Sequence, residues 1–458
     1  MACTGNLGAI ATAIAAETEL NRQITFHGIS TDSRQIAQGQ LFVALRGANF
    51  DGHRFVAPAI AKGAVAAIVD QQSLGYLAND LPILVVPNTL TAYQQIANWW
   101  RQQLSMPIIG ITGSAGKTTT KEIIANLLSY FVDQGKQVHK SIANHNNEIG
   151  VAQTLLAINP HLHQFAVLEM AMRGRGQIAE LTRMAQPDIG VITNIGTAHI
   201  GLLGSQQAIA EAKCELLVEM PKNSTAVLNG DDRLLMNTAS RVWQGKTILY
   251  GLKQGQVQGD LLHNQITVDG FTWNLPLLGE HNAMNFLAGL AVLRSLNLDW
   301  QKVPTNLEIK LPEGRAEICE LTADIQLLDE SYNASPSAVI ASLKLLKQLQ
   351  GKRYWAVLGA NRELGELSAE LHQQIGRTVA ELGIDNLVIL DDPEAWQIAQ
   401  GLPTNAKLNV YHCPDHTSIV QLLVTHLQKG DRILCKASHS VGMDQVVKQL
   451  IAYFEQQH

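Results

Sequence analysis

The sequence is poor in cysteine, in aromatic residues and in charged residues. Its 458 residues include only five cysteines, an odd number without a CxxC pair, while aromatic residues make up 5% and charged residues 16%. Cysteines so few and so far apart exclude a disulfide scaffold. We interpret them as reduced thiols, which predict a cytoplasmic protein. No apolar run approaches the ~18 residues of a membrane span. The N-terminal stretch also has no early Lys or Arg, which argues against a signal peptide.

Long blocks of a single charge sign are absent as well. Thirty-four Lys and Arg residues stand against 40 Asp and Glu residues, giving a net charge of −6. Because both signs are spread along the chain, bulk charge gives no support to a nucleic-acid or anionic membrane surface. Any phosphate-binding site must therefore be local.

Apolar residues and glycine are what the sequence has in quantity. Hydrophobic residues make up 46% of the chain, and there are 36 glycines. This composition supports large cores, excludes wholesale disorder and favours an α/β protein with tight turns between strands and helices. At the usual domain size of ~100–200 residues, the length predicts three domains.

The pattern along the chain divides it into three α/β blocks. Residues 1–88 alternate short apolar runs with turn residues, which predicts a small unit of about four strands. Residues 89–312 begin with a helical pattern and continue through several strands to a helix over 281–296. Residues 313–458 alternate strands with helices, the order typical of a mostly parallel, doubly wound Rossmann-like sheet.

A glycine-rich motif opens the second block. Residues 110–120 read GITGSAGKTTT, directly after an apolar strand and before the helical segment KEIIANLLSYF. Its glycines let several backbone N–H groups face one anion, and the helix that follows adds its positive N-terminal end. Lys117 can reach the outer phosphates of a nucleotide, and the Thr118 hydroxyl can bind Mg²⁺. The general P-loop pattern has a glycine where this chain has Ile111, so we interpret the motif as a GxxGxxGKT variant.

Three further side chains are candidates for the same site. Glu169 ends the apolar strand FAVLEM, where metal ligands collect in parallel sheets, although a solvated glutamate is the alternative. His199 ends another strand and is either a ligand or an ordinary turn histidine. Lys213 falls on the apolar face of the helix SQQAIAEAKCELLVEM, which Ser205 can cap. Either its stem reaches solvent or the buried amine has a chemical partner.

With Asn146 and Asn147 in NNEIG, these motifs stand in the order found in the Mur ligases, and the sequence resembles that family over its whole length. The segment TDSRQIAQGQLFVALRG resembles the family's UDP-sugar-binding domain. The segment HNAMNFLAG resembles the part of the family's sequence that lies beside the adenine. GRAEI, together with LLDESYNASPSA, resembles the start of the C-terminal domain. SYNASP and ELGELSAELHQQIG resemble the family member that adds D-alanyl-D-alanine.

The resemblance implies ATP and Mg²⁺ as cofactors and a role for each candidate residue. Lys117 would stabilise the transferring γ-phosphate, and Lys213 would carry a carbamate formed with CO₂, which makes it an anion. The implied catalytic residues are Lys117, Glu169, His199 and Lys213, and the implied metal ligands are Thr118, Glu169, His199 and Lys213. The implied ATP contacts are Gly113, Ser114, Ala115, Gly116, Lys117, Thr118, Thr119, Asn282, Asn285, Arg315 and Asp329. The implied UDP-substrate contacts are Ser33, Asn49, Phe50, Asn146 and Asn147.

The activity that the resemblance implies is amide formation through an acyl phosphate. UDP-N-acetylmuramoyl-tripeptide and D-alanyl-D-alanine would be joined with release of ADP and phosphate, in peptidoglycan precursor synthesis, by a cytoplasmic monomer. Residues 1–88 would bind the UDP substrate, 89–312 ATP, and 313–458 the dipeptide. Within the last domain, Gly-Ala-Asn-Arg at 359–362 and Lys-Ala-Ser-His at 436–439 depart from the family's usual Gly-Asp-Met and Lys-Gly-Ser-Arg.

Two alternatives remain open at this point, and a third is more distant. A Mur ligase that adds a single amino acid to the UDP-muramoyl dipeptide has the same motifs, although the Asp-Asn-Pro-Arg tetrapeptide of the diaminopimelate-adding enzyme is absent. A P-loop nucleotide switch would form no covalent product, but it leaves Lys213 and SYNASP unexplained. Folylpolyglutamate synthesis is more distant, since TDSR, LFVAL and DGH match the UDP-sugar domain.

Overall fold

The N-terminal unit is built on four parallel strands in the computed structural model, which describes residues 3–47, 49–322 and 324–456. Its strands are β1 (Thr4–Asn6), β2 (Thr25–His27), β3 (Ile29–Ser30), β4 (Leu41–Val43), β5 (Arg46–Gly47), β6 (Phe50–Asp51), β7 (Ala66–Asp70) and β8 (Ile83–Val86). Its helices are α1 (Leu7–Ala13), α2 (Val56–Ala61) and α3 (Thr89–Arg101). The main sheet has the order β3-β4-β7-β8, while β1 pairs with β2 and β5 with β6 in separate antiparallel ribbons. Apolar runs make β4 and β7 fully buried, as parallel strands covered on both faces require.

Seven parallel strands form the central sheet. They are β9 (Ile108–Thr112), β10 (Gln137–Lys140), β11 (His163–Glu169), β12 (Ile189–Ile192), β13 (Thr225–Asn229), β14 (Lys246–Gly251) and β15 (Val257–Gln258). The helices are α4 (Lys117–Ser129), α5 (Glu148–Leu156), α6 (Gln177–Ala185), α7 (Ile200–Leu203), α8 (Gln206–Glu219) and α9 (Arg233–Val242). The order β10-β11-β9-β12-β13-β14-β15 places the first strand inside the sheet. The chain therefore turns to opposite sides after β9 and β11, which opens a crevice at the carboxyl ends of these strands.

A small antiparallel sheet and one long helix complete the central part. The strands β16 (Asp260–Leu262), β17 (Gln265–Val268) and β18 (Phe271–Asn274) precede α10 (Glu280–Ser295). α10 is buried along most of its length and packs against α4 in the same core as the inner face of this sheet.

The C-terminal unit has a six-stranded sheet in which one edge strand is antiparallel. Its strands are β19 (Glu317–Thr322), β20 (Ile325–Asp329), β21 (Arg353–Leu358), β22 (Asn386–Leu390), β23 (Asn409–Cys413) and β24 (Asp431–Lys436). Its helices are α11 (Pro336–Gln348), α12 (Ser368–Glu381), α13 (Trp396–Gln400), α14 (His416–His426) and α15 (Asp444–Glu455). The order is β19-β20-β24-β21-β22-β23, with β19 antiparallel to β20 and the other pairs parallel.

These three units are the α/β architecture that the sequence predicts. The divisions at residues 88 and 312 stay predictions, because one apolar core runs from Leu7 and Ile68 through Tyr93 of α3 to Leu168 of the central sheet. Among the described residues, no helix combines the length and apolar character needed to cross a membrane.

Candidate active site

The glycine-rich loop between β9 and α4 has a shape that only glycine permits at two positions. Gly113 has a φ of +152°, and a Cβ atom there would lie 1.8 Å from Thr193 Oγ1. Gly116 has a φ of +79°, and a Cβ atom there would lie 2.6 Å from Asn285 Oδ1. Any side chain at either position would distort the loop.

Residues after the neighbouring strand β12 hold this loop in place. The backbone N–H of Ser114 donates to the carbonyl of Asn194 at 3.0 Å, and the N–H of Ala115 donates to Asn194 Oδ1 at 3.0 Å. Thr193 Oγ1 donates to the carbonyl of Ala115 at 2.6 Å. The sequence reasoning missed Thr193 and Asn194; their position directly after an apolar strand is the signal that could have indicated them.

The start of α4 offers unpaired donors to an anion. In the described part of the chain, the backbone N–H groups of residues 116–119 have no acceptor. Lys117 Nζ donates to the carbonyl of Gly113 at 2.8 Å, so its ammonium group lies over the loop. Burial lowers the pKa of Lys117, Glu169 acts in the opposite direction and Arg315 lowers it further. These donors and the positive end of the helix fit the phosphates of a nucleotide.

Glu169 lies at the end of β11, beside the loop, and only 2% of it is exposed. Its carboxylate accepts hydrogen bonds from Thr118 Oγ1 at 2.8 Å and from Asn146 Nδ2 at 2.9 Å, while its backbone N–H donates to Ser141 Oγ at 3.1 Å. A carboxylate and a hydroxyl oxygen this close together fit the oxygen ligands that Mg²⁺ prefers.

Lys213 on α8 is buried among apolar side chains, with an exposed fraction of 2%. It makes no hydrogen bond or ion pair with any described residue, and its pKa lies well below the ordinary value because of desolvation and the nearby Lys117. Ser205 caps this helix by accepting from the Ala208 N–H at 3.1 Å. A neutral amine in such surroundings is a nucleophile rather than a solvated charge.

His199 stands between the two lysines and the C-terminal unit. It has a left-handed φ of +66°, and its Nδ1 is hydrogen-bonded to Glu363. Burial lowers the pKa of His199, Glu363 raises it, and Lys117 and Lys213 lower it. Within the described ranges, no cluster of three or more His, Cys, Asp or Glu side chains is placed to hold a metal. The predicted metal ligands include one hydroxyl group and one lysine. Their ability to bind Mg²⁺ therefore depends on a negative charge gained by Lys213.

The two asparagines predicted to lie near the base are at the start of α10. Asn282 Nδ2 donates to the carbonyl of Leu278 at 2.8 Å, and Asn285 Nδ2 donates to Asn282 Oδ1 at 3.2 Å. Asn285 Oδ1 also accepts from Thr120 Oγ1 at 3.1 Å. These contacts place both amides directly behind the phosphate loop.

The C-terminal unit turns the carboxyl ends of its strands towards the loop. The Arg315 guanidinium stacks on the Tyr332 ring at 4.0 Å, and its Nε is buried without a partner in the described chain. Asp329 ends β20 and accepts from the Ser331 N–H at 2.9 Å; burial raises its pKa. The side chain of Lys436 at the end of β24 pairs with Glu330 at 3.0 Å.

The residues predicted to contact the UDP substrate are divided between two places. Ser33 follows β3, and Asn49 and Phe50 lie in the turn and second strand of the β5–β6 ribbon that follows β4. Because β3 and β4 are parallel neighbours, these segments share one edge of the N-terminal sheet. They form no hydrogen bond or ion pair with the phosphate-loop residues named above, among the described residues. Asn146 donates a hydrogen bond to Glu169, whereas Asn147 caps α5 by accepting from the Gly150 N–H at 2.9 Å.

Three family models match the chain in succession. "Mur ligase family, catalytic domain" matches residues 25–101, "Mur ligase middle domain" residues 111–293, and "Mur ligase, glutamate ligase domain" residues 314–439. Two curated relatives are named UDP-N-acetylmuramoyl-tripeptide–D-alanyl-D-alanine ligase. The Synechocystis sp. protein is 51% identical, covering 95% of this chain and 94% of the relative, and the Bacillus subtilis protein is 35% identical, covering 94% of each.

Solved structures agree with these matches. A crystal structure of MurF from Acinetobacter baumannii matches with a TM-score of 0.87 and 28% identity, covering 98% of this chain and 99% of that one. MurF ligase from Thermotoga maritima in complex with ADP matches with a TM-score of 0.82 and 29% identity, covering 94% and 99%. This chain belongs to the Mur ligase family.

Proposed function

We propose that this chain joins D-alanyl-D-alanine to the C-terminal carboxylate of UDP-N-acetylmuramoyl-tripeptide in peptidoglycan precursor synthesis. It is an ATP-dependent carbon–nitrogen ligase that releases ADP and phosphate. The observation that carries this function is the 51% identity to a relative of that name over 95% of the chain. The arrangement of Lys117, Thr118 and Glu169 around the glycine-rich loop supports ATP as the energy source.

The chemistry follows from charge, because the peptide carboxylate must approach the negatively charged phosphates of ATP. The peptide carboxylate attacks the γ-phosphorus to give an acyl phosphate, the amine of the dipeptide attacks its carbonyl carbon, and phosphate leaves from the tetrahedral intermediate. Lys117 offsets negative charge on the transferring phosphoryl group, and the N–H groups at the start of α4 hold the other phosphates. When bound, Mg²⁺ supplies further neutralisation of that charge, and Thr118 and Glu169 are the residues that would hold it.

The state of Lys213 is part of the proposal. Its Nζ forms no pair in the described chain, and desolvation favours the neutral amine that adds to CO₂. The resulting carbamate would be an anion close to His199 and Lys117, which explains a lysine at this apolar position. His199 and the carbamate would together hold a second Mg²⁺, beside the one that Thr118 and Glu169 would hold.

The substrate residues are proposed from the family resemblance, and their place in the fold supports that proposal. Ser33, Asn49 and Phe50 lie at one edge of the N-terminal sheet, and Phe50 is half exposed and stacked on Phe55, which leaves a ring face for the uracil or sugar. The carboxyl ends of the C-terminal strands, with Arg315 and Asp329, face the loop from the other side. The cytoplasmic location and the monomeric state stay predictions.

Phosphate release provides the test of this function. Incubation with ATP, UDP-N-acetylmuramoyl-tripeptide and D-alanyl-D-alanine should release phosphate only when both acceptor substrates are present. Release without either substrate would support the nucleotide switch instead. Release with the UDP-muramoyl dipeptide and a single amino acid, but not with the tripeptide, would support the other ligase.

A further inference from the structure

Glu363 makes three contacts from the C-terminal unit to the central unit. Its side chain bonds to His199 Nδ1 through Oε2 and to Arg173 Nη2 through Oε1, the latter at 3.0 Å. Its backbone carbonyl accepts from the Gly201 N–H at 2.9 Å. His199 and Glu363 are 164 positions apart in sequence, so only the docking of the two units brings them together.

The backbone at this contact is held in an uncommon conformation on both sides. His199 has a φ of +66° and Glu363 a φ of +64°, values that cost a residue other than glycine about 1 kcal/mol or more. The two loops also approach closely, since a Cβ atom on Gly201 would lie 2.4 Å from the Gly365 backbone nitrogen. Strain of this kind persists where the surrounding contacts fix the geometry, and it is commonest at functional sites.

The contact decides which nitrogen of the His199 ring carries the proton. A carboxylate only accepts hydrogen bonds, so Nδ1 must be the protonated nitrogen when it is paired with Glu363. In the neutral ring, Nε2 then keeps its lone pair and, with no hydrogen bond to any described residue, is the nitrogen left free for a ligand. Carboxylates commonly orient ligand histidines in this way and raise their basicity.

We propose that Glu363 is a positioning residue: it fixes the His199 tautomer, and it does so only when the C-terminal unit is docked. The inference rests on the proposed function, because His199 matters there as a ligand of the catalytic centre. It assigns the C-terminal unit a second task besides binding its own substrate. Docking completes the site on the central unit.

Nuclear magnetic resonance of the ¹⁵N-labelled imidazole rings tests the tautomer directly. We would use the full chain at pH 8 in EDTA, with a non-hydrolysable ATP analogue and UDP-N-acetylmuramoyl-tripeptide bound, and assign His199 by the signal missing from His199→Gln. The parent should show the Nδ1–H form, and Glu363→Ala should shift to mainly Nε2–H. Glu363→Gln should keep much of the Nδ1–H form, because its amide oxygen still accepts. An unchanged His199 spectrum in Glu363→Ala, or Nε2–H in the parent, would overturn the proposal.

Activity separates positioning from general loss of structure. Glu363→Ala should lower kcat about 10- to 100-fold, the usual effect of removing such a partner, with a smaller change in KM for ATP. Glu366→Gln changes an exposed carboxylate in the one-turn 3-10 helix over Gly365–Leu367, and it should behave as the parent because this side chain forms no hydrogen bond or ion pair with His199 among the described residues. A parent without ligase turnover would contradict the proposed function. Parental kcat in Glu363→Ala would contradict only the inference about Glu363.

Discussion

At the scale of single residues, the chemistry depends on side chains that the fold partly or fully buries. Lys117 lies in the loop over the carbonyl of Gly113, and Lys213 is buried without a partner in the described chain. Both amines have a lowered pKa, chiefly because of burial. In the same site, Lys117 would supply a positive charge to the transferring phosphoryl group. A carbamylated Lys213 would instead supply a negative charge to a metal ion.

Lys117→Ala should abolish most ligase activity and leave the protein folded. The side chain contributes charge to the transition state, and removal of one such group usually costs about 10²–10³ in kcat. Its one hydrogen bond to Gly113 is worth only about 1 kcal/mol, so the unfolding midpoint should change little. Phosphate release and a thermal melt would be compared with Lys222→Ala, an exposed lysine. Turnover equal to that of the parent would remove the loop lysine from the mechanism.

Lys213→Met should lose activity although it keeps the apolar packing of α8. Lys213→Glu should retain part of it, because a carboxylate imitates the charge of the carbamate, and formate or acetate should partly restore Lys213→Ala. Protein supplied with ¹³C-bicarbonate should show a carbamate ¹³C signal that is missing in Lys213→Met. A parent without that signal, or parental turnover by Lys213→Ala in CO₂-depleted buffer, would refute the modification.

Part of the site could be predicted from sequence because it follows local rules. Lys117 belongs to a motif, Glu169 ends an apolar strand, and Lys213 interrupts the apolar face of a helix. The pairing of Glu363 with His199 follows no such rule, because it arises from the docking of two units. Asn147 shows the opposite difficulty, since an asparagine before a helix is also an ordinary cap.

At the scale of elements, the buried parallel strands were predictable and the half-exposed ones were not. β11, β12, β13 and β21 each contain a short buried apolar run, which is the pattern that predicts strands in the second and third blocks. The antiparallel strands β16–β18 were not expected. They are only three or four residues long and bury one face, so their alternation is too short to distinguish from a loop.

The edge strand β10 should make the central unit sensitive to acid through His139. Its ring stacks on His163 at 4.5 Å and bonds to the carbonyl of Thr154. Burial and, to a smaller extent, His163 together lower its pKa to about 4. An unfolded histidine titrates near 6.5, so between pH 6.5 and 4 the unfolded chain binds the proton and the folded one does not. Stability should therefore fall over this range, by on the order of 3 kcal/mol.

Urea unfolding at pH 7.5 and pH 5 measures this dependence. The midpoint of the parent should fall on acidification, and His139→Gln should reduce the fall because its amide can still donate to Thr154 without titrating. His161→Gln, which changes an exposed histidine nearby, should keep the parental difference. If His139→Gln and the parent lose the same stability between the two pH values, another group is responsible.

At the scale of the whole molecule, two of the close approaches between the C-terminal and central units lie beside the phosphate loop. Gly201 approaches Gly365 at one of them. At the other, a Cβ atom on Gly196 would lie 3.3 Å from Ser337 Oγ and 3.2 Å from Ser114 Cβ. The predicted nucleotide contacts are thus divided between the loop on one unit and Arg315 and Asp329 on the other. A bound nucleotide joins both sets, so it should favour the docked arrangement.

Small-angle scattering should show this closure as a smaller radius of gyration when the ATP analogue and UDP-N-acetylmuramoyl-tripeptide are bound. Gly201→Ala should weaken the decrease, because its added methyl group would stand 2.4 Å from the Gly365 nitrogen and force the two loops apart. Gly174→Ala is the matched control, since its Cβ would meet no atom within 4 Å. Identical curves for the parent with and without ligands would contradict closure. A full decrease in Gly201→Ala would show that the units close without the contact between Gly201 and Gly365.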